Sequence, residues 1–105
     1  MYTRALRIDP ESGIKAIDII SAFGTEESMM IAIQFALGGK AEEYPLRDGG
    51  TMFVLKAGEE NKLRHNDLAS YISSHHVYGR ALIMGREGGE ISDAPNSFVE
   101  LMTIM

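Results

Sequence analysis

The sequence predicts an α+β domain: a mostly antiparallel sheet of about five strands built from hairpins, with helices packed on one face. Three observations predict it. Extended runs occur in pairs joined by tight-turn residues, which is hairpin chemistry. Between them lie segments whose apolar residues recur at spacings of three and four. The element order is β-β-α-β-β-α-β-α, in which single helices alternate with hairpins and each must bury one stripe.

Residues 3–9 alternate, with Arg4, Leu6 and Ile8 facing one way and Ala5 and Arg7 the other. Asp9-Pro10-Glu11-Ser12-Gly13 is a turn, because proline presets φ and glycine accepts φ > 0. Residues 14–20 resume a β-branched run, so residues 3–20 form a hairpin. Thr25 then caps a helix over residues 26–37, with Glu26 and Glu27 at its positive end. Its stripe is Met29, Met30, Ile33, Ala36 and Leu37, and Gly38-Gly39 ends it. Residues 42–46 and 51–56 form a second hairpin around Arg47-Asp48-Gly49-Gly50; Pro45 suits an edge strand. Asn66 caps a short helix over 67–74, whose inner face is Leu68, Ile72 and Tyr71. Residues 77–84 read as a buried strand and 85–91 as a glycine-rich turn. Asp93 or Asn96 caps a last helix striped by Phe98, Leu101, Met102 and Met105.

The 105 residues make a single domain, 1–105, with average globular composition: 45% hydrophobic and 24% charged. Without cysteine there is no disulfide scaffold, thiolate zinc site, iron–sulfur cluster or cysteine nucleophile. The net charge of −5 is spread along the chain, and no two Lys or Arg residues are adjacent. A phosphate backbone demands a concentrated basic stripe, so nucleic acid is not an expected partner. The N-terminus lacks signal-peptide pattern, and the longest apolar stretches, residues 29–36 and 77–84, fall short of a membrane span. The expected location is the cytoplasm, with no membrane partner.

His65, His75 and His76 are the histidines. Adjacent His75 and His76 diverge on any regular element, so they read as a solvated helix terminus, and no metal site or cofactor is assigned. Gly85-Arg86-Glu87-Gly88-Gly89 lacks phosphate-loop spacing and reads as a hairpin turn. Arg80 interrupts an apolar run. It either pairs structurally with Glu42, Glu43 or Asp67, or binds an anion with Tyr78, Asn66 and Asp67. No nucleophile–base–orienter set is evident, so no enzyme activity and no catalytic residue are expected. Seven methionines are adaptable core filler or a contact surface. The apolar C-terminal cluster of Phe98, Leu101, Met102, Ile104 and Met105 predicts a two-fold homodimer through that segment.

The LRIDP hairpin, the LGGKAEEYPL helix end, the DGGTMFVL return strand, the polar block at residues 64–69 and VYGRALIMG together carry a resemblance. Over residues 4–101 the chain resembles a family of small domains of unknown function, found mainly in bacteriophages and mobile elements. The resemblance implies a phage setting and carries over no active site. Two functional readings follow. One is a stoichiometric binding protein of phage type that occupies a host protein, for host takeover or anti-defence. The alternative is a domain that sequesters a nucleotide-like anionic ligand.

Overall fold

A computed structural model describes residues 2–104, with side chains as far as Met102. Among the described residues, six strands form one antiparallel sheet. They are β1 (Tyr2–Asp9), β2 (Gly13–Ile20), β3 (Ala41–Pro45), β4 (Gly50–Leu55), β5 (Ala81–Glu87) and β6 (Glu90–Ser92). The order is β2-β1-β5-β4-β3, with β6 added to the end of β5. The helices are α1 (Glu26–Leu37), α2 (Asp67–Ser73), α3 (Asn96–Val99) and α4 (Leu101–Ile104). The α+β class and the hairpin architecture are as the sequence predicts.

Residues 85–91, read as a turn, contain the end of β5 and the start of β6, and Tyr71, read on the inner face of α2, is 84% exposed. Three further features differ. The first is that helices cover both faces of the sheet. Leu6, Ile8, Met52, Val54, Ala81 and Ile83 meet Ala69 of α2 and Phe98 of α3 on one side. Ala5, Ile19, Phe53, Leu82 and Met84 meet Met29, Ile33 and Leu37 of α1 on the other. The cause is in the central strands: Met52-Phe53-Val54 and Ala81-Leu82-Ile83-Met84 are apolar without alternation. Strands of that kind need cover on both faces.

The second difference is that β5 starts at Ala81, not at residue 77. Residues 77–80 are held by an isolated bridge between His65 and Tyr78, and Gly79 takes φ of 85°. Third, neither Asp93 nor Asn96 caps α3. Pro95 occupies the cap position without a side-chain hydrogen bond, and Asp93 Oδ1 accepts from the Arg4 amide at 2.8 Å.

The predicted ends of α1 are present. Thr25 accepts from the Ser28 amide, and Gly38 takes the left-handed conformation at φ of 97°. The C-terminal segment folds back onto the sheet. Phe98 is 1% exposed and lies over Gly50, where an added Cβ would stand 2.7 Å from Phe98 Cε2.

Candidate functional site

The most exposed apolar surface lies between the edge strand β2 and α1. β2 is an end strand of the sheet, so one row of its backbone N–H and C=O groups is open among the described residues. The opposite edge, β3, is short, ends in Pro45 and carries Glu42 and Glu43, which are ordinary protections against further pairing. β2 is eight residues long, contains no proline and has only Lys15 and Asp18 as charges.

Beside this edge the outer face of α1 is apolar as well. Phe35 is 89% exposed, Phe23 84%, Ile31 63% and Ile20 60%. With Ala32 and Ala36 they line an open groove of about 570 Å³, with Asp18 and Ser28 as its polar members. Ser28 also fixes its mouth, because its Oγ accepts from the Phe23 amide at 3.2 Å. The single stripe expected of α1 does not include Ile31 and Phe35. The signal was present: the run Met29-Met30-Ile31-Ala32-Ile33 is apolar all round, and such a helix has two faces to cover.

The four residues assigned to an anion site do not form one cavity. Asn66 is 1% exposed and fully engaged. Its Oδ1 accepts from the Ala69 amide, and its Nδ2 donates to Ile8 O and Gly79 O, each at 2.9 Å. It is a clamp between α2, β1 and the approach to β5, with no donor left for a ligand. Arg80 pairs with neither Glu42, Glu43 nor Asp67. Its Nε donates to Asp9 Oδ1 at 2.8 Å and its Nη1 to Ala36 O at 3.0 Å. The antiparallel pairing of β1 with β5, in which Ile8 lies opposite Ala81, brings Asp9 to it, a partner distant in sequence. Arg80 instead shares a cavity of about 420 Å³ with Arg7 and Arg64 beside the β1–β2 turn. There Arg7 pairs with Asp9 and Arg64 with Glu11.

Tyr78 and Asp67 belong to a histidine cluster. His65 Nδ1 lies 2.7 Å from Asp67 Oδ1. An ionised carboxylate only accepts, so Nδ1 is the donor in this contact; in the neutral imidazole Nε2 is then the acceptor. That Nε2 is 3.2 Å from Ser70 Oγ and 3.3 Å from His76 Nδ1. Tyr78 packs edge-on against the His65 ring, with centroids 5.2 Å apart. His75 points elsewhere and stacks on Tyr44 at 4.1 Å. The divergence of His75 from His76 is as expected; the meeting of His76 with His65 was not legible, because it depends on the loop after α2.

The order Asp67–His65–Ser70 mimics a nucleophile relay, but Ser70 Oγ accepts the Val77 amide at 2.8 Å and so ties the α2–β5 connection. Among the described residues, no group of three or more His, Cys, Asp or Glu side chains is placed to hold a metal.

A separate ion-pair network ties the far end of β5. Arg86 grips Glu43 with two bonds, at 2.8 and 2.7 Å, and also pairs with Glu26 and with Gly89 O. The hydrogen bond from Arg86 holds the Glu43 carboxyl below its ordinary value, against the opposing effect of burial. Burial, with Glu42 alongside, pushes the Tyr44 phenol up.

The described part of the interface assigned to the C-terminal segment is turned toward the chain's own core. Phe98 is buried in the chain's own core, and Leu101 and Met102 pack half-buried against it. The side chain of Ile104, and Met105, lie outside the described residues.

No family model, curated protein or solved structure matches the chain. No helix of the described residues is long and apolar enough to cross a membrane.

Proposed function

We propose that the chain is a small protein-binding module that works by occupying its partner, not by turning over a substrate. The observation that supports this is the β2–α1 groove, where Phe23, Ile31 and Phe35 stand exposed beside an unguarded sheet edge. Contiguous apolar surface of this kind marks an interaction site. The occupant is an extended segment of a partner protein. It adds as a strand to β2 through main-chain hydrogen bonds and places alternate apolar side chains in the groove. Asp18 at the rim and the net charge of −5 favour a basic residue flanking that segment. In the phage setting that the resemblance implies, the partner is a host cytoplasmic protein, and occupying it serves takeover or anti-defence.

A photo-crosslinking residue at position 35, with position 71 as an exposed control outside the groove, tests this in host lysate. One discrete adduct with a host protein, formed at 35 but not at 71 and abolished by Phe23→Asp, supports the reading. Adducts only with a second copy of the chain assign the groove to a homodimer and overturn it; equal labelling at both positions overturns it too.

The anion-sequestering alternative rests on one observation, the three guanidinium groups of Arg7, Arg64 and Arg80 on a single cavity. It is the lesser reading because each of them already has a carboxylate partner. A thermal-shift screen against nucleotides tests it: stabilisation abolished by Arg80→Ala supports sequestration, and no shift with any nucleotide rejects it.

A further inference from the structure

The histidine cluster carries chemistry that protein binding does not use. We infer that His65 and His76 form a two-imidazole site for a borderline first-row divalent ion of the Zn²⁺ or Cu²⁺ type.

Four features of the cluster support this. In the neutral imidazole, Nδ1–H held by Asp67 at 2.7 Å makes Nε2 of His65 the coordinating nitrogen, in exchange for its contacts with Ser70 Oγ and His76 Nδ1. A carboxylate behind a ligating imidazole is the usual means of fixing its tautomer and raising its basicity. The second feature is spacing. His65 Nε2 and His76 Nδ1 are 3.3 Å apart. Two ligands about 2.0–2.1 Å from one tetrahedral ion are separated by about that distance. It is long for a strong hydrogen bond between two rings.

Third, the His65 ring is braced while its partner ring can adjust. Tyr78 packs edge-on against His65, and His76 is exposed. The two rings now face each other nitrogen to nitrogen, tilted by 55°. Coordination requires the His76 proton on Nε2 and the exposed His76 ring turned so that its Nδ1 and the Nε2 of His65 aim at one point. Fourth, His65 and His76 open on a surface cavity of about 370 Å³ lined also by Asp67, Ser70, Tyr71, Ser74 and His75, whose ring is stacked on Tyr44, so solvent can complete the shell. Ser70 Oγ, 3.2 Å from His65 Nε2, is a neutral neighbour at the site.

The donor set also fixes the class of ion. Imidazole nitrogen suits zinc, copper and nickel, whereas calcium and magnesium require oxygen-rich shells. Two protein ligands leave open positions, so the ion is exchangeable and is not a structural one.

Titration calorimetry of the full chain with Zn²⁺, at a pH where imidazole is neutral, tests the site. The expected result is one ion per chain. Binding is lost in His76→Ala, an exposed position, and in His65→Gln, and is retained in His75→Ala, because His75 is turned toward Tyr44. Asp67→Asn weakens binding about tenfold through loss of the orienting carboxylate. Histidine ¹⁵N chemical shifts give a second readout that does not depend on the variants folding: Zn²⁺ shifts Nε2 of His65 and Nδ1 of His76 together. Absence of one-to-one binding overturns the inference. So does binding that survives His76→Ala, binding lost equally in His75→Ala, or one ion shared by two chains.

Discussion

Replacing Asn66 by alanine removes three hydrogen bonds from a position that is 1% exposed. Two of them leave the buried carbonyls of Ile8 and Gly79 without the donor they share, each at a cost of about 1–3 kcal/mol. The third is the α2 cap, worth about 1 kcal/mol. Together these come to about 3–7 kcal/mol, a large share of the 5–15 kcal/mol on the order of which small domains are stable. In a chain of this size the lower figure already lowers the melting midpoint by more than about 10 °C. Urea unfolding followed by circular dichroism measures it. Asn66→Asp provides the diagnostic contrast. It keeps the cap acceptor but sets a carboxylate against two carbonyl oxygens, so its folded-state pKa is raised. Stability tied to the neutral form is complete below the unfolded pKa and is lost as pH rises through the folded one. The deficit of this variant against the parent therefore shrinks on acidification, as the protonated carboxyl regains one donor. A loss under about 1 kcal/mol for Asn66→Ala, or a deficit in Asn66→Asp that does not change with pH, would refute the clamp.

Phe23→Asp and Phe35→Asp leave the unfolding midpoint within about 0.5 kcal/mol of the parent, as exposed substitutions do, while solubility rises; a large loss in either would show these rings to be core. Gly50→Ala places a Cβ against the Phe98 ring and destabilises by about 1–3 kcal/mol, with no backbone strain because φ there is −84°; urea unfolding that matches the parent would contradict the contact. Arg86→Leu flattens the acid limb of the stability curve. Glu43, held below its ordinary value of 4.5, contributes stability that is full above that value and lost as pH falls through the lowered one; without Arg86 that contribution shrinks to what the Thr51 hydrogen bond sustains, and an acid limb unchanged in pH-dependent melting would contradict it.

How legible the fold was can be traced to individual residues. Caps and turns were readable because their chemistry is local: Thr25 and Asn66 accept from amides three residues on, and Gly38 supplies the left-handed stop. The second helical layer was not deduced, although Met52-Phe53-Val54 lacks the alternation that a one-sided sheet imposes. Site chemistry was less readable, because it depends on neighbours distant in sequence. Arg80 was given the wrong carboxylate since Asp9 is 71 residues away. His65 and His76 meet only because the loop after α2 turns back at Ser74, which takes φ of 62°. Asn66 was noticed as both a cap and a ligand candidate; the structure leaves it no capacity for the second role.

The place of β5 in the sheet governs when, during synthesis, the protein can exist. β1 is joined to the rest through Leu6–Ile83, Arg7–Leu82 and Ile8–Ala81, pairs separated by more than two thirds of the chain. The β1–β2 hairpin and the β3–β4 hairpin share no ladder of their own; β5 stands between them. A ribosome therefore releases two hairpins and α1 with Ala5, Leu6, Ile8 and Phe53 still wet, and only the emergence of residues 81–87 joins them. Distant pairings of this sort are slow to close and expose sticky surface while they wait. A chain that lacks residues 81–87 therefore has two hairpins with no ladder between them, and the sheet becomes continuous only when β5 is in place.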